Sequence, residues 1–349
     1  MTLPEPPPAA LRLRIDRAAL AANWRALDAL SGRARAGAAV KADAYGIGAR
    51  QAVPVLAAAG CADFFVAHWS EVPPLLGLVD PARISVLHGP MNDADVAFAR
   101  ATGVKPVLNS LSQIARWQAS GGGQCDLMVD TGINRLGLPM SQLGDPAVAG
   151  LDIDLCMSHL ASADEDVAQN AVQQACFGAI RSVVAARRYS LANSAGIALG
   201  PDYHADLTRP GLALYGGIPR PELAPHIAPV AYPEAALIQV RDLAAGETVG
   251  YNATFTAPAP MRVGVVALGY ADGYLRCWSG KGRFSWNGAG CPALGRVSMD
   301  MTVVDLTAAR DCGEGDWLAV DYDPVVAAKA TGLSQYELLT LLGQRFARG

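Results

Sequence analysis

The feature that most constrains this chain is a rhythm. Over about two hundred residues, short apolar runs end in polar or glycine residues and helix-like segments follow them. The runs lie at 36–40, 64–67, 84–87, 106–108, 127–129, 153–157, 191–192 and 212–215. Helical candidates fall between them at 50–59, 94–102, 111–119 and 165–186, with only a turn at 198–200. Alternating strand and helix means a parallel sheet, because each crossover returns the chain to the same sheet end. Eight runs predict an α/β fold, a (β/α)8 TIM-type barrel. A doubly wound sheet is the alternative this pattern leaves open.

Two segments frame the rhythm. Residues 11–16 alternate apolar and charged, as a half-exposed strand does, and Asp16 then caps a helix over 17–30. The proline-rich stretch 219–233 reads as a linker. Beyond it come β-like segments at 235–240, 261–268, 302–306 and 317–320, with helical signal returning only at 334–346. The expected organisation is a disordered tail at 1–10, a barrel over 11–225 and a mostly β C-terminal domain over 226–349. The first strand, 11–16, is free to pair with that second domain.

Composition narrows the class. The length of 349 residues suits about two domains, and 51% hydrophobic residues can fill more than one core. A formal net charge of -4 gives no basic footprint for nucleic acid and no pull toward anionic membranes. The N-terminus lacks the cationic start and apolar core of a secretory signal, and no apolar run is long enough for a membrane span. The seven cysteines are odd in number and form no Cys-x-x-Cys pair. Cys156 with His159 is half a zinc site without a second half, so no metal is expected. A reducing, cytoplasmic setting follows.

In a barrel, chemistry sits at the C-terminal ends of the strands. The first run ends in Lys41-Ala42-Asp43-Ala44-Tyr45-Gly46. A lysine at a strand end is most often simply exposed. At a barrel mouth, its amine can form a Schiff base once burial lowers its pKa. Tyr45 closes the same turn and can donate to a phosphate. The fifth run leads into Asp130-Thr131-Gly132-Ile133-Asn134-Arg135, where Arg135 can hold a carboxylate or a cofactor's phenolic oxygen. The sixth ends in Ser158-His159 and the seventh in Asn193-Ser194-Ala195-Gly196, a donor-rich turn suited to phosphate. The eighth begins from Leu207-Thr208-Arg209-Pro210-Gly211-Leu212.

Together with Val249-Gly250-Tyr251, 268–273 and Gly295-Arg296-Val297-Ser298-Met299-Asp300, these segments resemble the alanine racemase family. The resemblance runs from Leu11 to about Arg348. It implies a barrel plus a β domain, pyridoxal 5'-phosphate (PLP) as cofactor, and L- and D-alanine as substrates. It also implies a homodimer with shared active sites. Residue by residue, it implies that Lys41 carries PLP and moves the α-proton on one face. Tyr251, from the partner subunit, serves the other face. Arg209 meets the pyridine nitrogen and His159 links that arginine to the tyrosine. Tyr45, Ser194, Gly211 and Leu212 cradle the phosphate. Arg135 and the backbone N–H of Met299 meet the substrate carboxylate, and Tyr270 and Asp300 line the entrance. Racemisation needs an acid/base on each face of the substrate carbon, and free tyrosine and lysine titrate at about 10 and 10.4, so both types need tuning. Such an enzyme supplies D-alanine for peptidoglycan or degrades it.

Three departures stand out. Met128 takes the place of a lysine that many members carry as a carbamate beside the Arg135 equivalent. Ile47 replaces a common histidine, and Gln344-Arg345 replaces a phosphate-binding tyrosine before an arginine. Three rival functions share part of this pattern. An amino-acid decarboxylase would favour an acidic partner for the pyridine nitrogen, against Arg209. A non-catalytic PLP-binding protein would need neither Tyr251 nor Met299. A broader-specificity racemase acting on serine is the alternative that remains.

Overall fold

The computed structural model describes residues 7–348, and the chain divides into two compact units, Arg17–Ala228 and Pro229–Gly349 with Met1–Asp16. In the first unit, short parallel strands follow one another around a curled sheet. They are Arg35–Ala36 with Ala38–Ala39, Phe64–Val66, Ile84–Val86, Lys105–Leu108, Gln124–Asp130, Asp152–Met157, Arg188–Ser190 and Leu207–Thr208. The last pairs in parallel with Arg35–Ala36. The amides of Asp206 and Arg209 donate to Tyr189 and Ala192 at 3.0 and 2.8 Å. The sheet therefore closes on itself as a (β/α)8 TIM-type barrel.

Local sequence explains the pieces. Helix Arg17–Leu30 buries Leu20, Asn23, Trp24 and Leu27, one face at helical spacing. Asn23 is tolerated there because its amide is saturated. It donates to the carbonyls of Leu214 and Ala228 and accepts from Ala228 N–H. Between the helices and the strands packs an outer core that includes Trp117, Leu127, Ile153, Phe177 and Leu191. Inside the barrel lies an apolar layer of Phe65, Val107, Met128, Leu155, Met157 and Leu207.

Nearer the strand starts, the interior is charged. Lys105 pairs with Asp154 and lies 3.7 Å from Asp126, while Arg188 bridges Asp63 and Asp154 at 2.8 Å each. Asp126 also accepts from Ser85 Oγ at 2.6 Å and from Leu155 N–H at 3.1 Å. Burial raises the Asp126 carboxyl against the pull of Lys105. Burial also works to raise Asp154, but hydrogen bonds from Arg188 and Lys105 outweigh it and hold that carboxyl low.

The second unit is mostly antiparallel. Its strands run in the order Met261–Val266, Thr302–Asp305, Ala289–Leu294, Arg283–Trp286, Trp317–Val320, Ala231–Leu243, Leu11–Ile15 and Phe346–Arg348. Ala231–Leu243 also pairs with Met261–Val266, so six of these strands form a ring. Leu11–Ile15 buries alternate residues and sits between Ala231–Leu243 and Phe346–Arg348. Its outward Arg12 and Arg14 cover the rings of Trp317 and Tyr232 at 3.5 and 4.1 Å.

Several expectations need correction. The run 212–215 is not a strand but the tight turn Leu212–Tyr215, buried on all sides, and the eighth strand is Leu207–Thr208. A short apolar run signals burial, not extension. The seventh strand is Arg188–Ser190, ahead of the expected 191–192, and the helix within 165–186 spans only Ala168–Ile180. The stretch 219–233 is no simple linker, since it holds the turn Pro221–Leu223 and the start of Ala231–Leu243. Helix Pro324–Thr331 and strands Arg283–Trp286 and Ala289–Leu294 went unread. Of the expected tail, residues 1–6 lie outside the described residues. Residues 7–10 are exposed, and Ala10 accepts from Ala236 N–H at 2.9 Å. Among the described residues all seven cysteines are free, and no helix is long and apolar enough to cross a membrane.

Candidate active site

Lys41 follows the first barrel strand and opens a turn of unusual hand. Ala42, Asp43, Ala44 and Tyr45 all adopt left-handed backbone, with φ of 52, 52, 54 and 55°. Residues with a Cβ avoid this region at a cost of about 1–2 kcal/mol each, and normally enter it singly. Four in succession persist only if the surroundings over-determine them. Here Ala44 and Gly46 donate to Val40 and Ala42 at 2.9 Å each. Asp43 Oδ1 accepts from Ala49 N–H at 2.7 Å, and Glu71 Oε1 accepts from Ala42 N–H at 2.6 Å. The Lys41 amine is pushed below its usual pKa by burial first and then by Arg135 and Arg209, while Glu71 opposes them.

Arg209 is buried at the end of the eighth strand. It donates to Ser190 Oγ and to the carbonyl of Ser158. Burial lowers it to about 10, so it stays a cation at neutral pH. Ser158 is fixed in turn by its hydroxyl contact with Thr131, 2.7 Å away. Gln173, buried on helix Ala168–Ile180, donates to Thr131 Oγ1 and the His159 carbonyl and accepts from Ala161 N–H. One side chain thus ties two strand ends together. His159 makes no ring hydrogen bond to Arg209, whose donors go to Ser190 and Ser158.

His159 is partly accessible at its edge yet densely surrounded, and its pKa falls to about 3 through burial and then the charges of Arg209, Arg135 and Lys41. Its free value is about 6.5. Between those limits the unfolded chain binds a proton the folded chain refuses, so stability is lost as pH falls below the free value. We expect this one group to remove up to about 1.4 kcal/mol for each pH step down. Urea midpoints of the wild type and His159→Gln, compared from pH 7 to pH 4.5, read it as a shallower slope in the variant.

A second cluster adjoins the Lys41 turn. Ser194 Oγ accepts from the N–H groups of Gly211 and Ala213 at 2.9 and 3.2 Å. Tyr45 stacks on Tyr215 with ring centroids 4.9 Å apart, and Tyr215 donates to Ala39. A Cβ on Gly211 would meet the Tyr45 hydroxyl at 2.2 Å, so only glycine lets that hydroxyl reach the backbone. Leu212 is buried in the turn that follows.

Arg135 is exposed, on a loop shaped by Asp130 Oδ1, which accepts from the N–H groups of Gly132, Ile133 and Asn134. Among the described residues no acid pairs with it. Met128 is packed in the apolar interior layer. Activity is therefore expected to be indifferent to added bicarbonate. Met128→Lys should cost about 1–3 kcal/mol, as an unpaired polar group enters an apolar layer. Activity assays with and without bicarbonate, beside urea melts, measure both.

The β unit carries the remaining residues on neighbouring turns and loops. Tyr251 is 69% exposed on the turn Tyr251–Ala253, beside the loop that begins at Gly295. Met299 is exposed, and its carbonyl accepts from Ala271 N–H at 2.9 Å, while Tyr270 N–H donates to Ser298 at 3.0 Å. Asp300 pairs with Arg345 at 2.8 Å, and Arg345 also pairs with buried Asp272 at 2.6 Å. The Arg276 guanidinium lies 5.3 Å above the Tyr270 ring. Lys41, Tyr45, Arg135, His159, Ser194, Arg209, Gly211 and Leu212 thus belong to the barrel, and Tyr251, Tyr270, Met299 and Asp300 to the β unit. Sequence reasoning missed Glu71, Ser190 and Gln173. Only Glu71 left a signal, an acid shortly after a strand end.

Comparison with known proteins bears on this arrangement. Residues 15–219 match the alanine racemase N-terminal domain family and 230–349 the alanine racemase C-terminal domain family. The chain is 42% identical to an alanine racemase of Acidiphilium cryptum, over 96% of this chain and 97% of that one. It is 43% identical to one from Methylobacterium nodulans, over 97% and 95%. It superposes on a crystal structure of alanine racemase from Bartonella henselae with covalently bound pyridoxal phosphate, at TM-score 0.87 and 34% identity, covering 97% and 99%. With both halves matched and the barrel and antiparallel unit in the same order, the chain belongs to the alanine racemase family.

Proposed function

We propose that this protein interconverts L- and D-alanine using PLP held on Lys41, with Tyr251 of a second copy serving the opposite face. The observation that carries the reading is the company Lys41 keeps: a strained turn that aims it, burial and two arginines that lower its pKa, and a fixed cation, Arg209, nearby.

The residues present fit the cofactor. The approach of Tyr45 to Gly211, which a Cβ would fill, and the Ser194 hydroxyl make a donor-lined cradle for phosphate. When bound, PLP supplies an electron sink for the pair left as the Cα–H bond breaks. Lys41 would hold the cofactor, and its amine would give or take the proton at the substrate Cα on its own face. Tyr251 moves it on the other. Arg209, a cation at neutral pH, offers the pyridine nitrogen a hydrogen bond but no proton. A partner that cannot give up its proton would keep the sink weak, which would favour return of the proton to Cα over transfer of the amino group. Arg135 and the Met299 N–H hold the alanine carboxylate. Tyr270 and Asp300, the latter fixed by Arg345, line the entrance. The enzyme works in the cytoplasm, where D-alanine is made for peptidoglycan or degraded.

Chiral analysis after incubation with L-alanine, with L-serine in parallel, tests the activity. Borohydride followed by peptide mapping tests the attachment, and a label on Lys105, Lys281 or Lys329 in place of Lys41 would sink it.

A further inference from the structure

The carboxylate of Glu71, at the end of the turn Trp69–Glu71, is not used by the reading above. Its two oxygens gather three backbone donors. Oε1 accepts from Ala42 N–H at 2.6 Å, and Oε2 from Ala67 and His68 N–H at 2.7 and 3.1 Å. A glutamine would turn its NH2 toward one of these N–H groups, so the site requires a group that only accepts. Ala42 is the first residue of the left-handed run and directly follows Lys41. Glu71 therefore reaches from the second strand's exit to the turn that carries the lysine.

We propose that Glu71 is a positioning residue for racemisation, pinning the Ala42 amide so that the left-handed turn aims Lys41, and setting one negative charge against the arginines there. This rests on the role of Lys41 proposed above. The groups that bear on the Lys41 amine are Arg135 and Arg209, which favour loss of its proton, and Glu71, which favours retention. His159 and His88 in turn feel Lys41, and His88 packs edge-on against His68 with ring centroids 4.1 Å apart. Glu71 alone among these both touches the turn and opposes the two cations.

The test uses the cofactor-free full chain and the loaded enzyme. Lys41 acetylation is followed against pH by mass spectrometry in the former, and kcat and KM for alanine are measured in the latter. Glu71→Gln is expected to move the labelling midpoint to lower pH. It should lower kcat about tenfold or more, the rate equivalent of one lost charge-assisted hydrogen bond, with little change in KM. Glu71→Asp keeps the charge but is one methylene short. It should hold the midpoint, lose kcat, and serve if the glutamine variant does not fold. Asp95→Asn is the control. Asp95 also accepts from backbone N–H groups of its own turn, Met91 and Asn92, away from Lys41, and should leave both readings unchanged. A wild-type midpoint in Glu71→Gln, or wild-type kcat in Glu71→Asp, overturns the proposal. A wild type without racemase activity would overturn the proposed function instead and leave the midpoint readable.

Discussion

Lys41→Ala and Tyr251→Phe should each be inactive alone, yet a mixture dissociated and reassembled should recover activity, up to about half the wild-type value per mixed dimer. The figure is site counting in a two-fold dimer. If each site takes Lys41 from one copy and Tyr251 from the other, a mixed dimer holds one site with both lesions and one with neither. If both residues come from one copy, every site keeps a lesion and nothing returns. The exposure of Tyr251 on its turn, with Met299 and Met301 also exposed on this unit, motivates the first arrangement. Mixing without dissociation should stay inactive while exchange is slow. Mixed dimers verified by tag pull-down but still inactive would place the site within one copy.

The largest effect on stability is expected from Lys105→Met. Lys105 is buried inside the barrel between Asp154 and Asp126, and Asp126 has no solvent exposure at all. Three carboxylates there share two cations, Lys105 and Arg188. Removing one cation strands buried negative charge, which costs about 3–5 kcal/mol. Lys105→Met with Asp126→Leu should be much less destabilised than the single change, because the stranded partner leaves too. Urea denaturation of the three proteins measures this. Acid should act on the same pairs. Asp154 is held below the ordinary carboxylate range, so its contribution is complete above that range and lost as pH falls beneath it. A single variant as stable as the wild type would mean that water or protonated Asp126 compensates the loss.

Much of the barrel was legible because its signal is periodic. Phe64–Val66, Ile84–Val86 and Asp152–Met157 are apolar runs closed by polar residues, which alternation reveals. Leu212–Tyr215 misled because a fully buried turn is as apolar as a strand. Arg283–Trp286 was missed because its arginine and serine break the apolar run. Lys105 and Arg188 open strands as charged residues and pass for surface, since their partners Asp154 and Asp63 lie far along the chain. The residues expected at the site were named by motif, not pattern. The left-handed turn behind Lys41 was invisible to both, because alanine and tyrosine carry no mark of that conformation and a lone aspartate only a weak one.

Strand Leu11–Ile15 is synthesised well before its neighbours in the sheet, Ala231–Leu243 and Phe346–Arg348. More than two hundred residues separate it from the nearer partner. At ordinary synthesis speeds of about 5–20 residues per second, it waits roughly ten to forty seconds for that partner. The intervening segment, Arg17–Ala228, is the entire barrel. The barrel can therefore close while a short amphipathic strand still trails from its first helix with its backbone unpaired. Such an edge invites adhesion to other nascent chains. Two features blunt it during the wait. It is only five residues long, and two of them, Arg12 and Arg14, keep it charged until Tyr232 and Trp317 arrive to cover them.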